Sequence, residues 1–212
     1  TVMFSTSNHS PFDCPYEKID LVDKNNIKSV KNAVKYADYA IGKFIELAKK
    51  EKYYKDTVIV IVADHNVRVY GEDMVPVDMF HIPALILGAD MKPIVYDKIS
   101  TQPDILATAL DLIGLDLTYP IMGKSIFSEE KNNISLMQFH SIYALRVGDK
   151  VAVIRPNKEA VTFLYKEPSS YLDKSSHLTQ IEHDTELEKD ALAFVLTLDY
   201  LYDKKLYNNK RE

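Results

Sequence analysis

The chain has 212 residues, 46% of them hydrophobic and 27% charged, enough for one substantial core and a small appended layer. A net charge of −5 and a pI near 5.7 give no basic footprint for nucleic acid. No stretch approaches the ~18–20 apolar residues of a membrane helix, and no signal-like segment opens the chain. The single cysteine, Cys14, excludes an intrachain disulfide and argues against a thiolate metal cluster, while leaving the redox compartment open.

In chain order, Thr1–Thr6 mixes β-branched and aromatic residues and predicts a short strand that delivers the polar loop Ser7-Asn8-His9-Ser10-Pro11. So abrupt an opening leads us to expect a further N-terminal part. Ile27, Val30, Val34, Ala37, Ile41, Phe44 and Ala48 then recur at spacings of three and four, the stripe of an amphipathic helix capped at Asn25 or Asn26. Thr57–Ala63 is a continuous β-branched run, suited to a central strand covered on both faces in a parallel sheet. Residues 66–82 are irregular, and Pro83–Gly88 is another short buried strand. Thr101–Leu115 reads as a helix, with Pro103 near its start, Gly114 near its end and Ile105, Ala109, Leu112 and Ile113 inward.

From Ile134 the texture changes. Alternating segments around Met137, Tyr143–Val147, Val151–Arg155 and Val161–Tyr165 are parted by Gly148-Asp149 and Pro156-Asn157, the mark of antiparallel hairpins. A Ser- and Lys-rich loop follows. The last helix opens on Thr185-x-x-Glu188, a capping-box pattern, and carries Leu187, Ala191, Phe194, Leu198 and Leu201 inward. The expected fold is α/β: a mostly parallel sheet flanked by helices over residues 1–130, then a small antiparallel sheet with a C-terminal helix over 131–212.

The chemistry concentrates at Asp64-His65, directly after the buried strand, where α/β folds place their ligands. A carboxylate and an imidazole there either turn toward one cation, suiting Zn²⁺ or Mn²⁺ better than Ca²⁺, or divide into a turn cap and a loop histidine.

Three segments carry a resemblance. A strand ending in Asp64-His65 resembles the metal-binding pair of the alkaline-phosphatase/sulfatase superfamily. Ser7-Asn8-His9-Ser10-Pro11-Phe12 is similar to a segment of lipoteichoic acid synthases and related phosphoglycerol transferases. Gln102-Pro103-Asp104-Ile105 through Leu110, with Gly114 and Gly123-Lys124-Ser125-Ile126, resembles a late stretch of sulfatase-type domains, with Ala107 where proline is usual. The likeness spans roughly residues 1–128. It implies that Asp64 and His65 are two ligands of a divalent metal, Mn²⁺, Zn²⁺ or Mg²⁺. It places His9 at the substrate as a hydrogen-bond donor or acid, with His81 near the same pocket; Arg68, from its charge alone, is a further candidate to meet a substrate phosphate. Without the resemblance, His9 bonds its own loop, His81 packs where the loop rejoins the sheet and Arg68 is solvated. His140, His177 and His183 are read as structural.

The nucleophile of that superfamily is a Thr, Ser or modified Cys upstream of the His9 loop, and Cys14 lies on the wrong side of it. The resemblance therefore implies the second half of a catalytic domain, inactive without its first half. The expected activity is phosphoglycerol or phosphoethanolamine transfer through a covalent phospho-enzyme, on a phospholipid head group or envelope glycan outside the cytoplasm. The alternatives are a sulfatase or phosphodiesterase of the same fold, or a non-catalytic binding module.

Overall fold

The computed structural model describes every residue except 67–70, 89–90, 116–117, 119, 130–132, 171–172, 174 and 208–212. It falls into two compact units, Thr1–Thr57 and Val58–Glu212. The boundary expected near residue 130 lies inside the second.

In the first unit, Thr1–Thr6 forms no regular secondary structure, so the strand expected there is not found. Helix α1 spans Val30–Ala48, and its cap is Ser29, whose side chain accepts from the Asn32 amide. The cap is not Asn25 or Asn26, because Asn32 reorganises the preceding loop. The fully buried Asn32 amide oxygen accepts from the backbone N–H groups of Val22 and Asp23, and its nitrogen donates to the carbonyls of Asp23 and Ile27. Asp23 in turn accepts from the N–H groups of Asn25 and Asn26. The apolar stripe is present, yet Val34, Ile41 and Phe44 are exposed.

In the second unit, β1 (Ile59–Val62) pairs with β2 (Ala84–Leu87), Ile59 opposite Leu87 and Val62 opposite Ala84. The pairing is antiparallel, so the parallel register expected for the β-branched run is not found among the described strands. A parallel return needs a crossover, usually a helix. The described part of the 63–83 connection holds only the 3-10 turn Val77–Phe80.

Helix α2 covers Gln102–Leu112. Five strands follow in sequence order, all antiparallel: β3 (Ile134–Phe139), β4 (Ile142–Val147), β5 (Lys150–Ile154), β6 (Val161–Tyr165) and β7 (Leu178–Gln180). Helix α3 spans Thr185–Asp203. Period-two alternation splits this sheet into two covered faces. Ala144, Val151, Val153 and Phe163 pack with Val75 and Val77 of the irregular loop. Leu145 and Ala152 pack with Leu187 and Ala191 of α3. The loop between β1 and β2 is thus one cover of the C-terminal sheet.

Helix α3 starts one residue after its cap, Asp184, whose side chain accepts from the Leu187 amide. The Thr185–Glu188 box is not formed, because Glu188 faces elsewhere. It accepts from the hydroxyl of buried Thr162 at 2.7 Å and lies 2.9 Å from His183 Nδ1.

Candidate metal centre

Strand β1 ends at Val62, and the chain turns out at Asp64 and His65, both largely solvent-exposed. The Asp64 carboxylate accepts from the His65 backbone N–H at 2.8 Å. The His65 Nδ1 lies 2.7 Å from the Asn66 carbonyl. A carbonyl only accepts, so Nδ1 carries a proton, and in the neutral ring the lone pair is on Nε2. Fixing one ring nitrogen this way is how ligand histidines are oriented. The second carboxylate oxygen of Asp64 stands 3.5 Å from that Nε2. Two donors on one tetrahedral ion, each roughly 2.0–2.2 Å from it, stand about 3.3–3.6 Å apart. The oxygen and nitrogen therefore fit a shared Zn²⁺- or Mn²⁺-sized cation as two of its ligands. Among the described residues no group of three or more His, Cys, Asp and Glu could hold a metal.

A residue the sequence reading passed over supports this turn. Gln102, at the first position of α2, donates from its amide nitrogen to the carbonyls of Ala63 and Asp64, both at 2.9 Å. It fixes the backbone from which the Asp64 side chain projects. Its helix is anchored in turn by a clamp. The Asp104 carboxylate accepts from the Thr101 N–H and hydroxyl and from the Lys124 N–H, at 2.7, 2.9 and 2.9 Å. The Thr108 hydroxyl accepts from the Ile126 N–H. Gly123 is required by close approach: a Cβ there would stand 2.2 Å from the Pro103 carbonyl carbon. The Gln102–Leu110 and Gly123–Ile126 motif is thus a fastening that holds the Asp64-His65 turn.

His9 sits on a tight turn of the first unit, its backbone N–H on the Thr6 carbonyl and the Phe12 N–H on its own carbonyl. Its Nδ1 lies 2.8 Å from the Ser10 carbonyl, which by the same logic leaves Nε2 bare. His9 thus bonds its own loop and presents a free ring nitrogen to solvent. His81 is exposed and follows the 3-10 turn. The antiparallel register, continued by the Ala63 N–H on the Pro83 carbonyl, brings its segment to the same end of the β1–β2 pair as Asp64 and His65. Arg68 lies outside the described residues. Burial, then the Asp13 carboxylate, pushes the Cys14 thiol up, so this side chain is not an activated nucleophile. No helix among the described residues is long and apolar enough to cross a membrane.

Residues 1–115, just over half of the chain, match the sulfatase family model. The chain belongs to the sulfatase family. A solved structure of a protein in the alkaline phosphatase superfamily from Vibrio parahaemolyticus aligns with this sulfatase-family chain at a TM-score of 0.86. The two are 34% identical, over 98% of this chain and 50% of that one. The lipoteichoic acid synthase of Staphylococcus saprophyticus subsp. saprophyticus is 27% identical over 159 residues, 62% of this chain and 23% of the synthase. The chain therefore spans half or less of the relatives it matches. The sulfatase match includes the His9 loop, the Asp64-His65 turn and α2, and stops before the five-stranded sheet.

Proposed function

We propose that this chain is the C-terminal part of the catalytic domain of a metal-dependent phosphoglycerol- or phosphoethanolamine-type transferase. Its substrates are membrane or envelope glycolipids or glycans, outside the cytoplasm. The observation that carries the reading is the Asp64-His65 pair at the end of β1, with the Asp64 carboxylate 3.5 Å from the His65 Nε2 and the His65 Nδ1 on the Asn66 carbonyl. It lies on a chain of the sulfatase family that is also similar to a lipoteichoic acid synthase.

In this reading Asp64 and His65 hold a divalent cation, Mn²⁺, Zn²⁺ or Mg²⁺, together with ligands from the N-terminal part of the domain. Such an ion supplies Lewis acidity to an attacking hydroxyl and a phosphoryl oxygen. Gln102 keeps the Asp64 backbone in place. His9 donates from Nε2, when protonated, to a phosphoryl oxygen or the leaving alcohol. His81 and Arg68 bind the substrate's polar head. The nucleophile is a Thr or Ser of the N-terminal part, which forms the covalent phospho-enzyme. A sulfatase or phosphodiesterase is the second reading, favoured by the family model itself, and a Cys nucleophile in the longer protein would select the sulfatase.

Calorimetric titration of this chain with Mn²⁺ and Zn²⁺ tests the half-site. We expect weak binding, abolished in Asp64→Ala/His65→Ala and weakened roughly tenfold in Gln102→Ala. Binding that survives the double substitution, or no binding to the unsubstituted chain, overturns the half-site.

A further inference from the structure

Helix α3 carries two apolar rows. Leu187, Ala191 and Val195, one turn apart, are buried, and the first two pack on the C-terminal sheet. Leu192, Leu196 and Tyr200 repeat the same spacing on the side turned away from that sheet. They are between 44% and 57% exposed. A single exposed Leu is ordinary, whereas an aligned row over two turns of one helix is the pattern of a contact face.

The charges on this face are disposed about its centre. Lys189 stands seven residues before Leu196 and Asp203 seven after it. At 3.6 residues per turn, both lie within about 20° of the Leu196 direction. Asp199, one turn before Asp203, borders the same row. One half of the face thus carries a cation and the other half two carboxylates. Lys189 does pair with Glu186 at 2.9 Å, but both side chains are mostly in water, and so exposed a pair does not hold the lysine from a partner.

We propose that the outer face of α3 docks, antiparallel, on the same face of a second copy of this chain. A two-fold axis through Leu196 sets Leu196 against Leu196, Leu192 opposite Tyr200, and Lys189 opposite Asp203 with Asp199 beside it. The last two pairings occur twice, once on each side of the axis, so the surface is its own complement in shape and in charge. A parallel pairing would instead set Lys189 on Lys189 and Asp203 on Asp203. At a crossing angle near +20°, Lys189 and Asp203 lie about 10 Å either side of the crossing point, where the two helices are still close. An anionic lipid surface fits less well, because Asp199 and Asp203 flank Tyr200 on the face that would enter it. One helix from each copy buries less than the ~1,200–2,000 Å² of stable complexes, so the dimer is weak and concentration-dependent. It does not depend on the metal reading of Asp64 and His65.

Sedimentation velocity of the full chain, over concentrations from about 10 μM to 1 mM, tests this. We expect a reversible monomer–dimer equilibrium. Leu196→Glu sets two carboxylates against each other at the axis and should raise the dimer Kd at least tenfold, with the helical circular dichroism unchanged because the position is exposed. Lys189→Asp and Asp203→Lys should each weaken the dimer several-fold. An equimolar mixture of those two variants should associate more tightly than either alone, because the mixed pair opposes an Asp to a Lys on both sides of the axis. That rescue separates a docking contact from a general loss of structure. A chain that stays monomeric throughout the series overturns the proposal. A dimer indifferent to Leu196→Glu and to the charge changes overturns it in favour of another face. Co-sedimentation with phosphatidylglycerol vesicles that Leu196→Glu abolishes, with no dimer in solution, overturns it in favour of a lipid surface.

Discussion

The two sheets are built from similar residues and live in different surroundings. In β5, Val151, Ala152 and Val153 are each fully buried, beneath the irregular loop on one face and α3 on the other. In β1 the run Ile59–Val62 is at least as β-branched, yet every residue is half-buried or exposed, and Leu85 across the pair is 50% exposed. Apolar sequence therefore reports the cover a strand is suited to, and within the second unit the described residues supply that cover to one sheet only. The proposed N-terminal part of the domain would supply the other.

Single substitutions break or confirm that contrast. Leu145→Ala in β4, beneath α3, should lose about 2–5 kcal/mol in urea unfolding. Leu85→Ala in β2 should lose under about 1.5 kcal/mol, since half of that side chain is already in water. Equal losses would mean the two sheets are equally covered in solution. Asp104→Ala sits between them, near the β1 end and fully internal. It strands three donors around a carboxylate that is 5% exposed, so a loss of about 3 kcal/mol is expected. Gly123→Ala should lose about 1–3 kcal/mol by pushing backbone against backbone. A loss below about 1 kcal/mol for Asp104→Ala would show that the clamp does not hold α2.

The same contrast explains what could be read in advance. The hairpins from Ile134 to Tyr165 were legible because alternation and turn pairs are local signals, and the strands lie within a residue or two of them. Strand β7 was not, because its three residues gain order from pairing with β6 and from Asp73, more than a hundred positions away. Helix α2 was found but its inner face was misjudged. It buries Asp104, Ala107 and Thr108, while Ile113 is exposed, because the polar pair is consumed by the clamp. Asp64 and His65 stood out as a pair at a strand end. Gln102 did not, because its role depends on a contact 38 and 39 residues back in the chain. The antiparallel return of β2 was hidden for a related reason: short apolar runs carry no direction.

The smallest expected effect concerns the helix that covers the better-buried sheet. Lys150 of β5 donates to the Asp184 carboxylate at 2.7 Å, and the Leu187 N–H donates to its other oxygen at 3.2 Å. The Lys150 hydrogen bond first, and the Leu187 amide next, hold this carboxyl below the usual carboxylate range. A folded value below the unfolded one means that the native state resists protonation here. The contribution is fully present above the unfolded value, near 3.9, and drains away as pH falls through the folded value. Asn is as good a helix cap as Asp, so Asp184→Asn removes the charge and keeps the cap. The melting temperature of the unsubstituted chain should exceed that of Asp184→Asn at pH 6, and the gap should close as pH falls below about 3.9. A gap that persists unchanged to pH 2 would mean that the cap geometry, and not the Lys150 pair, fastens α3 to the sheet.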